Sequence, residues 1–520
     1  MQESSQGLKE AVLVRLHRNS DFPAMANTVS LINQFKSAED TSISQFANAI
    51  LKDHALTSKI LKLLNSVHYT QFGEVTTISR AIILLGFGNI KNLALSLMLF
   101  DHLQKNRSNI ELLNTIVKSF YSGILAQRIS NEMHFVDSEE AFICAHFHSF
   151  GKLMIAHAWP EKIEEVMAFS RERGITEDAA ALTVLGSSYE DFGMTIAKEW
   201  NFPAKIVQSM HKMRSSEVGR NPGELDKLIS ISTLTSELSG IMSLNVAKEE
   251  KDKRIERLIA SFKDHYGDKG DTIRGAIASS MQDLVDYSAA VNLDIRSVPF
   301  SKQLFGIEDA RGTVVSEGEG TAPLDIVAAS LDTLDSMIEA VNTDTPENIF
   351  TKGIQDVNNS ILSGYSLNDI IRVVLETIYR GMQLSGLSNV LFFIKNTKLP
   401  VMNVRLGFGN SIEELKQWFN ISFGDSTDLF NVAIMKQKDI VVKDIEVPEI
   451  RKILPEWYRS KVSSSIFIIL LPITINGKPI GMFYVEGEKA NFQKITGGQL
   501  NYLKILRDQT VMSIKQKQGY

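Results

Sequence analysis

Apolar residues recur at helical spacing from about residue 13 to 213, as in Ile43, Phe46, Ala47, Ile50 and Leu51, and few stretches alternate as strands do. The pattern predicts an all-helical domain. Capping residues and breakers mark its joints: Ser42 or Ser44 before one helix, Asn65-Ser66 after the next, and a turn at Gly86-Phe87-Gly88. The same texture continues through 225–238, 255–262 and 273–291, predicting a helical extension over 212–305 packed on the first domain. Residues 306–322 then lose the period. Gly312, Gly318 and Gly320 alternate there with Glu317 and Glu319, and so polar a stretch cannot bury enough surface to offset its ordering entropy, which predicts a flexible linker. Leu324, Val327, Leu331, Leu334 and Ile338 restore helical spacing and predict a connecting helix over 323–344.

From 345 to 516 the pattern mixes helix and strand. Residues 367–382 are amphipathic, with Ser366 placed as N-cap and Ile370, Ile371, Val374, Leu375 and Ile378 on one face. Two apolar strands are predicted at 390–394 and 400–406. A hairpin follows over 465–485, because Asn476-Gly477 accepts the positive φ angles of a tight type I′ turn. A last helix runs from Gln499 to about Gln516, with Leu503, Leu506, Thr510 and Val511 or Met512 at coiled-coil-like spacing.

A chain of 520 residues is long for one core and predicts at least two large units. With 55 Lys+Arg against 61 Asp+Glu, a net charge of −6, no global basic field draws nucleic acid or an anionic membrane. Cys144 is the single cysteine, so no intrachain disulfide forms and a reducing cytoplasm is the expected home. The first residues lack the basic start and apolar run of a secretory signal. Residues 81–100 are interrupted by Gly86, Gly88, Asn89, Lys91 and Asn92, and 465–475 is about half the ~20 residues a membrane span needs, so both read as buried core.

Several motifs then stand together: Phe22-Pro23-Ala24-Met25, the run from Ile50 to Ser66, Ile78-Ser79-Arg80-Ala81 through Gly86, Phe142 to Lys152, Tyr189-Glu190-Asp191-Phe192-Gly193 and Trp200-Asn201-Phe202-Pro203. Residues 15–211 thereby resemble an HDOD domain, a signalling output domain similar to the HD metal-dependent phosphohydrolases. Residues 345–516 resemble a GAF sensor domain, through Leu471-Pro472-Ile473, Asn476-Gly477-Lys478-Pro479-Ile480-Gly481 and Asp439-Ile440-Val441-Val442-Lys443-Asp444. The two resemblances imply a multidomain fold, all-α HDOD followed by an α+β GAF domain with a central antiparallel sheet, helices on one face and a small-molecule pocket on the other.

Carried over residue by residue, the HD ligand set falls on Lys118, His148, Ser149, Tyr189 and Thr233. Only His148 keeps its chemistry. Ser149 stands where the pattern has an aspartate, and a neutral hydroxyl cannot replace an anionic ligand of a hard divalent ion. An ammonium at Lys118 roughly 4 Å from such an ion would cost about 8 kcal/mol at an effective dielectric near 20. Lys118 thus reads as a fixed charge in place of the cation, or as a lysine whose stem packs while its head reaches water. His146 and His148 project about 200° apart on a helix and cannot share an ion. The expectation is a relic site, no catalytic residue and no metal.

Residues 44–65 also have the shape of a helix-turn-helix, yet Lys59 and Lys62 are its only second-helix cations and Leu56, Ile60, Leu63 and Leu64 call for burial. Gly86-Phe87-Gly88 lacks the third glycine and preceding strand of a dinucleotide loop. Residues 266–520 contain neither histidine nor cysteine, which argues against histidine-ligated haem, zinc, thioether-linked bilin or a thiol switch there. Any ligand of that domain is a non-covalent small molecule, with Phe430, Trp457 and Tyr484 as pocket candidates against the plainer reading of core aromatics. The resulting expectation is a cytoplasmic bacterial signal-transduction protein: a GAF-type sensor controls an HDOD domain that docks a protein partner, with homodimer contacts through the 323–344 and C-terminal helices. The rivals are an active phosphohydrolase on a nucleotide or cyclic dinucleotide, and a DNA-binding regulator.

Overall fold

The computed structural model describes the chain except for residues 1, 20, 36–39, 66–73, 105–108, 215–216, 218–221, 292, 294, 296–297, 306–344, 411, 424–426, 462–465, 489–491, 493–494 and 519–520. The linker expected over 306–322 and the helix expected over 323–344 therefore lie outside the described residues. Two compact units result: one gathers the described residues of Met1–Gln34 and Lys91–Ala340, the other those of Phe35–Asn65, Tyr69–Ile90 and Val341–Tyr520. Among the described residues no helix is long and apolar enough to cross a membrane.

The first unit is all helix where described. Its axis is Ile110–Met133, opened by an Asn109 side chain that accepts from the Leu112 amide and closed by His134 in the left-handed region. Ser138–Phe147, Glu224–Met242 and Gly270–Val291 pack around this helix. Polar ties accompany the apolar contacts: Ser122 to Thr235 at 3.0 Å, Tyr287 to Gln127 at 2.8 Å and Arg128 to Asp283 at 2.6 Å. A second packing centre is the crossing of Phe150–Ala158 with Tyr189–Glu199. There the two backbones touch through Gly151 and Gly193; a Cβ on Gly151 would lie 1.9 Å from the Tyr189 carbonyl oxygen and 2.6 Å from the Gly193 nitrogen.

The second unit holds a six-stranded antiparallel sheet in the order β3-β2-β1-β6-β5-β4, formed by Leu387–Lys395 (β1), Val401–Gly409 (β2), Asn420–Ser422 (β3), Ile440–Val442 (β4), Ile466–Ile475 (β5) and Lys478–Glu488 (β6). The β5–β6 turn has φ +51° at Asn476 and +74° at Gly477, as the Asn-Gly pair predicts. Leu367–Met382, capped by Ser366, packs on β1 and β2 beside Pro346–Leu362 and Gly497–Gln518. None of these three helices enters the apolar cluster of Leu391, Phe393, Met402, Ile468, Leu470 and Tyr484, so that cluster occupies the other face of the sheet. The fold class is as expected, all-α followed by α+β.

One helix start differs from its sequence reading. The third helix begins at Asp40, and Ser42 and Ser44 lie inside it. Ser44 is buried and accepts from the Arg372 guanidinium at 3.1 Å, so a tertiary partner satisfies a hydroxyl that resembled a cap. This helix, His54–Leu64 and Ile78–Leu85 all belong to the second unit.

Candidate relic HD site

Residue 118 sits in the middle of the axial helix Ile110–Met133, residue 148 caps Ser138–Phe147, and residue 189 opens Tyr189–Glu199 under a Ser188 cap. Lys118 and Tyr189 meet in one polar cluster with three side chains that the ligand pattern did not single out. Lys152 donates to Glu177 at 2.7 Å and to Glu111 at 3.2 Å, Tyr189 donates its hydroxyl to Glu177 at 3.0 Å, and the Lys152 ammonium stands 6.0 Å from the Tyr189 ring centre. Burial alone would lower the Lys152 pKa, but Glu177 and Glu111 hold it above its ordinary value. Burial would likewise raise the Glu177 pKa, and Lys152 with Tyr189 brings it below the usual carboxylate range. The ammonium bound by two carboxylates is thus that of Lys152, from the Gly-Lys end of the HD-like segment. Its position after His148 in that segment was the signal available in the sequence.

Lys118 is the less comfortable lysine. It is partly buried, and desolvation first, then the like charge of Lys152, pushes its pKa down to about 8 from 10.5. The unfolded chain therefore holds this proton to higher pH than the folded one, and the amine costs the fold on the order of 3 kcal/mol at neutral pH. Lys118→Met is expected to raise stability by up to about 3 kcal/mol at pH 7. That advantage shrinks as pH climbs from about 8 toward 10.5, where wild type sheds the proton. Urea midpoints of both proteins at pH 7 and pH 9.5 check the size and the sign.

His148 stands apart from this pair. Its Nδ1 lies 2.8 Å from the Ser209 carbonyl, which can only accept, so Nδ1 carries the hydrogen and Nε2 the lone pair. Burial first, opposed by that hydrogen bond, holds the imidazole below its ordinary pKa. Ser149 opens Phe150–Ala158 without a side-chain capping bond. Thr233 is engaged elsewhere, accepting from the Met213 amide at 3.0 Å. Nearby, Lys212 pairs with Asp178 at 2.6 Å and Glu237 at 3.1 Å, while His211 pairs with Glu190 at 2.6 Å. His146 is enclosed by Phe100, Phe120, Phe142 and Phe147, and burial drives its pKa down to about 3.

These donors do not fit a divalent ion. Of the expected ligand positions one imidazole remains, and the carboxylates nearby pair with Lys152, Lys212 and His211. Among the described residues no three His, Cys, Asp or Glu side chains converge as a metal requires.

On the inner sheet face of the second unit, Phe430 and Tyr484 are fully buried and Trp457 partly. Ring centres lie 5.8 Å apart for Phe430 and Trp457 and 6.4 Å for Phe430 and Tyr484, with Phe419 and Tyr458 packed among them. The Tyr458 and Tyr484 hydroxyls are 2.7 Å apart; Tyr484 donates onward to Glu486, which also accepts from Asn389. Burial raises the Glu486 pKa. Leu56, Ile60, Leu63 and Leu64 are buried, so the second helix of the helix-turn-helix-like segment spends its apolar face on the core.

The all-α unit thus brings Lys118 and Tyr189, two of the five expected positions, into one polar cluster with Lys152, Glu111 and Glu177. Residues 22–215 match the family model of the HDOD domain, and the chain carries an HDOD domain. A protein of Treponema pallidum (strain Nichols), described only as uncharacterized, is 24% identical over 195 residues, which cover 37% of this chain and 37% of that relative's length. The chain thus spans little more than a third of it. Among solved structures, an HDOD domain protein from Geobacter sulfurreducens is similar at 16% identity, covering 51% of this chain and 91% of its own, with a TM-score of 0.38. The GAF domain from an Acinetobacter phosphoenolpyruvate-protein phosphotransferase is similar at 14% identity over 33% of this chain and 93% of its own, with a TM-score of 0.27.

Proposed function

We propose that this chain is a cytoplasmic bacterial signal-transduction protein, in which a GAF-like sensor domain governs an HDOD domain that docks another protein and hydrolyses nothing. The observation that carries the reading is Lys152 bonded to Glu111 and Glu177 beside Lys118 and Tyr189, two of the positions to which the HD resemblance assigns ligands. A divalent ion entering there would meet two ammonium groups, and like charges in a partly buried site repel by several kcal/mol. What survives is the helical scaffold. The six-stranded sheet with helices on one face and an aromatic cluster on the other supports the sensor half, whose ligand would be a non-covalent small molecule.

Equilibrium dialysis of the full chain against Mn²⁺ and Fe²⁺ tests the dead-enzyme reading. Far less than one ion per chain is expected, with no hydrolysis of a cyclic dinucleotide. One tightly held ion with turnover would replace this reading with that of an active phosphohydrolase.

A further inference from the structure

Resting on the signalling reading above, we propose that the α+β domain carries a carboxylate latch, Asp356 and Glu376, whose ligand is a segment of the HDOD domain itself, Glu74 to Arg80. The packing of this segment motivates the assignment. The described residues of 35–65 and 69–90 belong to the HDOD match by sequence and to the second unit by contact.

The chemistry begins at an eight-residue helix, Ile78–Leu85, whose first amides have no partner within the helix. Thr77 caps one of them, accepting from the Arg80 amide at 3.2 Å. The other two go to Glu376: the Ser79 amide to Oε2 at 2.7 Å and the Ile78 amide to Oε1. A helix N-terminus is a natural seat for an anion, and here the anion is a side chain from the middle of Leu367–Met382. Asp356, from Pro346–Leu362, accepts from the Thr76 amide at 2.9 Å, from the Thr76 hydroxyl and from the Arg80 guanidinium. Arg380 donates to the Thr76 carbonyl. Every polar group of Thr76 is thereby held by the α+β domain.

Two further contacts extend the grip. The Asn48 side-chain amide pairs with both backbone groups of Gly409, accepting at 2.8 Å and donating at 3.0 Å. Gly409 makes this possible with φ +131°, a conformation that side chains disfavour. Arg372 adds its bond to Ser44.

A purely structural seam would be served as well by apolar residues, because buried ions gain little over a packed hydrophobic surface. Charged groups aimed at backbone amides instead give a contact of fixed register. Water can replace it when the carrying helix moves, as a two-state element requires. A shift of Leu367–Met382 would act directly on the backbone at 76–79.

Hydrogen exchange on the full chain tests the latch with two variants, Glu376→Gln and Thr76→Val. Exchange across 74–82 is expected to accelerate at least tenfold in both, with β5 (Ile466–Ile475) as protected as in wild type. Unchanged protection across 74–82 in either variant overturns the latch. Should Glu376→Gln also expose β5, Thr76→Val decides alone, since it removes one hydroxyl donor from the far side of the contact. The signalling reading fails separately. If opening the latch leaves exchange unaltered throughout 91–305, the latch stands but is no route of control over the HDOD domain.

Discussion

Gly151→Ala is expected to cost the helical unit about 3–5 kcal/mol, among the largest losses a single methyl can cause. The added Cβ would fall 1.9 Å from the Tyr189 carbonyl and 2.6 Å from the Gly193 nitrogen. Both obstacles are backbone, so no rotamer change relieves them and the crossing of Phe150–Ala158 with Tyr189–Glu199 must open. Lys152 and Tyr189 ride on these two helices, so their shared bonds to Glu177 would loosen with it. Gly275→Ala provides a control of opposite sign, because nothing lies within 4 Å of its added methyl in Gly270–Val291. There alanine should stabilise by roughly 1 kcal/mol through a lower unfolded-state entropy. Urea denaturation of the two variants beside wild type measures both, and equal midpoints would contradict the crossing.

Asp356→Ala is expected to destabilise the α+β unit by about 3–5 kcal/mol, since it takes the Asp356 carboxylate away from a buried guanidinium. The Arg80 and Asp356 side chains are only 6% and 2% exposed. Arg80→Met combined with Asp356→Ala should recover about 2 kcal/mol of that loss by removing the buried charge. Full recovery is not expected, because the Thr76 amide also loses its acceptor. Exchange at β5 in the four proteins of this double-mutant cycle gives the coupling, and strict additivity would show that Arg80 and Asp356 do not act as a pair.

Legibility along the chain followed the range of the interactions involved. The Asn476-Gly477 turn and the Ser366 cap were readable because each depends on backbone preferences of a few adjacent residues. The start of Asp40–Leu51 escapes local pattern for the complementary reason: Ser44 has a cap-forming hydroxyl, but Arg372, 328 positions away, claims it. The candidate site was legible in part: the HD-like pattern singles out Lys118 and Tyr189, which share one polar cluster, while Glu111 and Glu177 lie outside any contiguous motif and join Lys152 only when three helices pack.

What the sequence alone determined was local: which stretches are helix or strand, where Asn-Gly turns the chain, and that Ser149 beside His148 brings no carboxylate. These follow from periodicity, φ preference and the valence of single side chains. Only the tertiary structure decided that Lys152 rather than Lys118 is the lysine held by Glu111 and Glu177, and that the described residues of 35–65 and 69–90 pack with the α+β domain although the family match assigns them to the HDOD domain. Both outcomes turn on charges far apart in the chain meeting at about 3 Å, and no local pattern encodes how a particular ammonium or carboxylate is desolvated.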